Sequence, residues 1–231
     1  APDNKATRFT YSLLNLTHRN GHEQPQPLVP GKRYLIKLAL NYVAQRIPAG
    51  HRLRMAVSTS YWPMAWPSPE AVQLKIHTGK SMLFLPVRKA RHEDTLLRSF
   101  DPPEAAPPVR VKVIKPENRN WRVVRDLARD ISTLEVINDD GVQHINEIDL
   151  TIGRSAREWY TYQGDDFNSV RGETLCERSF SRGSWSARTV TRIVLTSSEK
   201  DFFLRAELDA YDGDKRVFSK NWDTAIPRDF V

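Results

Sequence analysis

Residues 202–209 carry the clearest alternation of apolar and polar positions in the chain. Every second residue there is apolar, which is the period of a strand with one buried face. Asp212-Gly213 follows and offers the positive φ angles of a two-residue hairpin turn. Pairing about that turn predicts two cross-strand contacts, Leu208 with Val217 and Asp209 with Arg216.

Two further turn signals continue this pattern in the second half. Asp140-Gly141 is expected to join residues 134–137 to residues 144–145, with Val136 opposite Ile145. Arg182-Gly183 is expected to join residues 174–180 to a long strand at 185–195. The second half is therefore predicted to be an antiparallel β meander.

The first half alternates more weakly, between Gly and Pro turn signals. It predicts five strands, at residues 8–14, 34–40, 53–58, 73–78 and 82–87. The only helical signal is a short turn near residues 91–97. Short strands without intervening helices favour a β-sandwich or jelly roll, so the predicted fold class is all-β.

Proline divides the chain. Residues 99–108 contain four prolines, which lack a backbone donor and disfavour both helix and central strand. We therefore predict a sandwich portion at residues 1–98, a Pro-rich linker at 99–108 and an antiparallel β extension at 109–231, packed on or beside the first portion.

The composition of the chain limits the kinds of partner that we expect it to bind. The 231 residues include 35 Lys and Arg against 28 Asp and Glu, a net charge of +7. The two signs are interspersed, as on an ordinary solvated surface, so no nucleic acid is expected. No apolar stretch approaches the ~20 residues of a membrane span, so no membrane partner is expected. The single Cys excludes an internal disulfide and favours the cytoplasm over export.

The chain carries no complete catalytic or metal-binding motif. No G-x-S-x-G elbow occurs, and Cys176 lies mid-strand, where a structural thiol is expected rather than a nucleophile. His18 and His22 are four residues apart, but their surroundings are typical of a loop and lack the Glu of a zinc motif. No Gly-rich phosphate loop is present. No catalytic residue, metal or cofactor is therefore predicted.

One loop stands out for its aromatics. Residues 58–70, called the tryptophan loop below, contain Tyr61, Trp62 and Trp66 among three prolines. Aromatic rings held by prolines can fill a seam with another domain or stack on a sugar. They can also simply pack over one end of the sandwich. These three residues are the candidate contact residues of the chain.

Three segments carry a resemblance to a known family. Residues 27–32 (PLVPGK), 46–54 (RIPAGHRLR) and 58–70 (STSYWPMAWPSPE) resemble the C-terminal β domain of the CocE/NonD hydrolases. That family includes cocaine esterase, X-Pro dipeptidyl peptidase and α-amino-acid ester hydrolases. The match covers about residues 8–87, and the tail through residues 226–229 resembles a longer extension of some members.

The resemblance implies a galactose-binding-like jelly roll that is non-catalytic. The Ser-Asp-His triad of such proteins lies in an α/β-hydrolase domain, and no residue here matches it. We therefore expect a domain that buttresses the α/β-hydrolase domain of the same parent protein, an esterase or peptidase. The alternative is a free-standing carbohydrate-binding module that uses Tyr61, Trp62 and Trp66. A third hypothesis is an enzyme built on Cys176 or the histidines.

The start of the chain departs from the family pattern. Family members have strand sequence ahead of residues 7–14, whereas this chain opens with Ala1-Pro-Asp-Asn-Lys-Ala. The sandwich is therefore expected to lack a leading strand. A missing strand exposes unpaired backbone groups on its neighbour, so we expect a homodimer through an exposed strand edge.

Overall fold

The structure is a computed structural model that describes residues 1–231, and its strands form one antiparallel sheet. The eight strands are β1 (Val111–Lys115), β2 (Asn118–Asp126), β3 (Ile131–Ile145), β4 (Leu150–Gln163), β5 (Asp166–Arg182), β6 (Trp185–Ser197), β7 (Asp201–Asp212) and β8 (Lys215–Pro227). Single 3-10 turns occur at Leu16–His18, Thr78–Lys80, His92–Thr95 and Asn146–Ile148. The all-β class and the antiparallel meander are confirmed.

From β3 to β8 each strand pairs with the next along the chain. Two strands share the outer edge of β3. β2 pairs with the first part of β3, and β1 pairs with its last residues. The predicted turn after residues 174–180 is present, but Arg182 lies opposite Trp185, so its two central residues are Gly183 and Ser184 rather than Arg182 and Gly183. Gly183 has the positive φ of 54° that this tight turn requires.

The last hairpin exists, but its register differs from the prediction. Asp212 pairs with Lys215, so the turn lies one residue later than expected, and the pairing shifts again beside Val217. Leu208 therefore lies opposite Lys220 and Asp209 opposite Ser219, and the two predicted pairs were wrong. Arg216 still reaches Asp209 diagonally, with 3.6 Å between Nη1 and Oδ1.

The predicted turn at Asp140-Gly141 was wrong. β3 continues through it, with a bulge between Asp139 and Gly141. Gly141 has a φ of 74°, and its N–H donates to Oδ1 of Asp139 at 2.9 Å. A positive-φ glycine suits a bulge as well as a turn, and here the bulge lets β1 and β2 share one edge.

Residues 1–110 contain no strand, so the five strands predicted before residue 98 were wrong. The helical signal near residues 91–97 is the 3-10 turn His92–Thr95. Most backbone hydrogen bonds of this half close local turns; an exception joins the Asn41 N–H to the Tyr11 carbonyl at 3.2 Å. Alternation predicts extended backbone, but a strand also needs a continuous hydrogen-bonded neighbour. The jelly-roll arrangement stays a prediction.

The two faces of the sheet differ in composition, although the apolar face also carries Arg154, Glu158 and Arg178 and the charged face also carries Leu175, Val194 and Phe203. The apolar face carries Leu134, Tyr160, Cys176, Phe180, Trp185, Ile193, Leu195, Phe202, Leu204, Leu208, Phe218 and Trp222. The charged face carries cross-strand ion pairs, including Arg122–Glu135, Arg192–Glu173, Arg205–Asp223 and Arg216–Asp209. Strand register and two-residue alternation assign every one of these residues to its face.

Little of the chain is buried. Seven of the 231 residues are buried, and Val170 is the only large hydrophobic residue among them. No helix has the length and apolar character needed to cross a bilayer. The most enclosed polar side chain, Arg228 at 2% exposed, lies just after β8 and marks the site described next.

Candidate functional site

The tryptophan loop lies on the apolar face of the sheet. Trp62 packs edge-on against Tyr160 of β4, with ring centroids 5.8 Å apart. Trp66 packs edge-on against Phe202 of β7 at 5.5 Å, and the two tryptophans pack against each other at 4.9 Å. Both tryptophans are half-buried. The loop therefore forms a seam with the chain's own second half.

Gly172 of β5 lies beside this packing. A Cβ placed on it would lie 3.8 Å from the Tyr160 ring and 3.9 Å from Trp62, which is ordinary van der Waals contact. The Trp62 indole N–H is buried there without a hydrogen-bond partner, so its contribution is packing alone.

Trp66 adds a polar contact to the seam. Its indole Nε1 donates to Oγ of Ser197, the last residue of β6, at 2.8 Å. Ser197 is 8% exposed, so this bond is sheltered from water. A sheltered side-chain hydrogen bond contributes about 1 kcal/mol and fixes the orientation of the ring.

Arg228 joins the loop to the end of the sheet. Its guanidinium donates to the carbonyls of Pro67 at 2.6 Å, Ser198 at 3.0 Å and Val231 at 2.8 Å. It also stacks over the Phe202 ring, 4.8 Å from the centroid. Burial lowers the pKa of this guanidinium from its ordinary value. Arg228 is thus a buried cation satisfied by carbonyl oxygens rather than by a carboxylate.

A second tie reaches the C-terminal tail from the start of the chain. Asn15 Nδ2 and Thr17 Oγ1 both donate to the Phe230 carbonyl, at 2.5 and 3.1 Å. Asn15 also caps the 3-10 turn Leu16–His18. Residues 15–17 and the tryptophan loop therefore both dock on the segment that follows β8.

The hydroxyl of Tyr160 forms a hydrogen bond to a carboxylate beside the seam. Its hydroxyl donates to Oε2 of Glu158 at 2.5 Å. Burial, together with this hydrogen bond and the nearby negative charge, raises the pKa of Tyr160 to about 12. The phenol is therefore a hydrogen-bond donor throughout the neutral range and does not act as a base.

Tyr61 does not join the two tryptophans. Its ring faces Tyr11 at 6.3 Å, and the Arg8 guanidinium lies 5.5 Å from it. Tyr61 therefore lies at the exposed rim of the loop. The three candidate contact residues divide into two seam residues and one rim residue.

The structure brings together a hydroxyl, an imidazole and a carboxylate that sequence reasoning missed. His144 Nδ1 lies 3.1 Å from Thr151 Oγ1, and Nε2 lies 3.6 Å from Asp149 Oδ1. Asp149 is exposed. The group clamps the turn between β3 and β4.

Cys176 and the histidine pair occupy structural positions. Cys176 lies half-buried on the apolar face between Ala156 and Thr191. The Nδ1 atoms of His18 and His22 are 3.1 Å apart, so the rings pair with each other. The structure contains no cluster of three or more potential metal ligands.

The tryptophan loop belongs to the segment in which a known family is found. Residues 1–98 match the family described as the X-Pro dipeptidyl-peptidase C-terminal non-catalytic domain. The predicted family is confirmed for this segment. The match ends before β1, so the eight-stranded sheet lies wholly outside it. No curated protein and no solved structure was found to match the chain.

The sequence pointed to only part of the seam. The concentration of tryptophan and proline identified the loop, because such composition is unusual in an exposed segment. Nothing singled out Arg228 or Ser197, since a lone Arg and a lone Ser are ordinary surface residues in a sequence. Their role comes from the meander, which brings the end of β6 beside the segment after β8.

Proposed function

We propose that the chain is the non-catalytic C-terminal β region of a CocE/NonD-type serine hydrolase that acts on esters or amides. It buttresses the α/β-hydrolase domain of the parent protein and helps to wall its pocket. The family match over residues 1–98 carries the proposal, because that family is described as a C-terminal, non-catalytic domain of a peptidase.

The seam supports the buttressing role. A buttress has to transmit position rigidly, so its parts must not slide against one another. Aromatic edge contacts, the Trp66–Ser197 bond and the carbonyls held by Arg228 join the family domain to the sheet. The sheet therefore moves with the family domain and extends the surface it can offer to a catalytic domain.

The carbohydrate-module alternative has less support from the geometry. Sugar-binding platforms present an exposed ring face, whereas Trp62 and Trp66 meet each other edge to face at 86° and are half-covered by the sheet. Titration with mono- and oligosaccharides should leave tryptophan fluorescence unchanged. Saturable quenching that is lost in Trp66→Ala would favour the alternative.

The proposal is tested by assaying the complete gene product beside the chain of residues 1–231. The complete product should contain a G-x-S-x-G segment and hydrolyse an activated ester or a dipeptidyl anilide. Residues 1–231 alone should not, because they lack a nucleophile, base and oxyanion site acting as a set. Turnover that follows residues 1–231 through purification and disappears in His144→Ala or Cys176→Ala would overturn the proposal.

A further inference from the structure

Most of the apolar face lies beyond the reach of the tryptophan loop. The loop contacts the end of β6 at Ser197, and Trp185 begins that strand twelve residues away, a distance of about 40 Å along an extended chain. At that far end Trp185 is 50% exposed, Phe218 47% and Phe180 43%. The seam therefore covers one end of an apolar face that is otherwise open.

The apolar face is large enough to be an interface. Seven strand positions at about 4.8 Å spacing, over about 40 Å, give roughly 1,200 Å² for the whole face, including the end that the tryptophan loop covers. Monomers rarely leave more than a few hundred Å² of contiguous apolar surface uncovered, and each partner in a standard interface contributes about 800 Å².

Two cations on the apolar face have no carboxylate partner. On the charged face, Arg192 and Arg205 are paired with carboxylates across the strands. On the apolar face, Arg178 forms no ion pair and lies directly opposite Arg154, a cation that already pairs with Asp140 at 3.4 Å. Lys220 has only the Trp222 ring, 4.9 Å from its Nζ. Like charges directly opposite each other are unfavourable unless an anion joins them.

We propose that the apolar face of the sheet is the surface on which the α/β-hydrolase domain of the parent protein docks, through an apolar patch with carboxylates at its rim. This docking surface rests on the proposed function. It specifies, in addition, which face of the sheet binds the partner and which charge the partner carries. Stacking two copies face to face would bring the unpaired cations Arg178 and Lys220 into one interface, which disfavours a second copy. The interface continues the seam that the tryptophan loop already makes with this face.

The decisive variant is Arg178→Glu. In the free chain it removes the repulsion with Arg154, so the melting temperature should stay the same or rise. In the complex it turns attraction for a partner carboxylate into repulsion. Binding of residues 1–231 to the α/β-hydrolase domain of the same gene product, measured by calorimetry, should weaken at least tenfold. Loss of binding without loss of stability cannot be attributed to unfolding.

The matched control is Arg157→Glu, which makes the same charge change on the charged face, where Arg157 is exposed and forms no ion pair. Its dissociation constant should stay within about twofold of wild type. Hydroxyl-radical footprinting adds a second measurement. Complex formation should protect Trp185 and Trp222 on the apolar face and leave Trp159 on the charged face unchanged.

Three other results of these measurements would each contradict a different claim about the docking surface or the function. A complex that tolerates Arg178→Glu and leaves Trp185 unprotected shows that the docking surface is wrong, while the proposed function stands. The proposed function and the proposed docking partner are both refuted if the gene product has no α/β-hydrolase domain, or if that domain does not bind the chain. Sedimentation that shows a dimer of residues 1–231 with Trp185 protected would make a second copy the occupant instead.

Discussion

Residues 1–110 and residues 111–231 show the same kind of alternation but different structures. The first region has extended backbone, three 3-10 turns and no strand. The second forms eight strands in register over as many as 12 consecutive pairs. Apolar residues occur in both, so hydrophobicity does not separate them. The two regions differ in whether an extended segment has a hydrogen-bonded neighbour that is close to it in the sequence.

In the second region each strand from β2 onward pairs with the next strand along the chain after a short connection. Arg182 and Trp185 are opposite each other, as are Asp212 and Lys215, so closing each hairpin orders only two intervening residues. The predicted jelly roll of the first region requires pairing between segments far apart in the chain, and ordering a longer loop costs more entropy. Apart from β1, which pairs with the distant end of β3, alternation here specifies a strand where a short connection supplies its partner.

The largest effect on this comparison should come from Gly141→Ala. An added Cβ would lie 2.2 Å from the Lys115 carbonyl oxygen and 2.8 Å from backbone atoms of Pro116. Together with the φ of 74°, this should destabilise the sheet by about 2–4 kcal/mol in urea unfolding. The control Gly213→Ala has a φ of 57° and no atom within 4 Å, so about 1 kcal/mol is expected. Equal losses would show that the bulge does not confine the backbone.

Arg228→Met should uncouple the two regions. It removes the donors for the Pro67, Ser198 and Val231 carbonyls while keeping much of the side-chain volume. Leaving buried acceptors unpaired should cost about 2–3 kcal/mol and make the tryptophan loop more sensitive to protease. Arg216→Met on β8 removes an exposed arginine and should change stability by less than about 0.5 kcal/mol. Unchanged proteolysis in the Arg228 variant would contradict its role.

Trp66→Phe tests the seam with a smaller change. The ring contact with Phe202 remains, but the bond to Ser197 Oγ is lost. A loss of about 1 kcal/mol is expected. Trp185→Phe makes the same change at a half-exposed tryptophan for which the structure shows no hydrogen bond, and it should be close to neutral. A larger loss at Trp185 than at Trp66 would show that the seam contributes little.

The smallest effect should be a pH dependence at the bulge. A hydrogen bond from Lys115, at 2.6 Å, lowers the pKa of Asp139 below its ordinary 3.8. As the pH falls below 3.8 the unfolded chain therefore takes up the proton first, and the stability that Asp139 gives at neutral pH is lost. Asp139→Asn should remove about 1 kcal/mol at pH 7 and flatten that acid decline. Lys115→Met should flatten it similarly; a wild-type profile in both variants would refute this linkage.

The sequence allowed correct predictions where contacts are local in the chain and failed where contacts join distant segments. The hairpin signalled by Arg182-Gly183 was predicted correctly because the flanking strands are neighbours in both sequence and space. Asp140-Gly141 has the same two-residue signature, yet the chain continues straight through it, since β1 and β2 supply neighbours that only the fold reveals. The tryptophan loop was identified by composition. Its partners Tyr160, Ser197 and Arg228 were not, because they converge only when β4 to β8 lie side by side.

The tryptophan loop also determines the order in which the sheet can come apart. Through Tyr160, Gly172, Ser197 and Phe202 it touches β4, β5, β6 and β7, and so it braces four neighbouring strands at one end of the sheet. Peeling β8 from its open edge breaks one ladder and the bond from Arg228 to Pro67, but leaves the other contacts of the loop in place. Opening any of the four central strands requires the loop to leave first. Amide exchange should therefore be slow and concerted in β4–β7 and faster, strand by strand, in β8 and in β1 and β2.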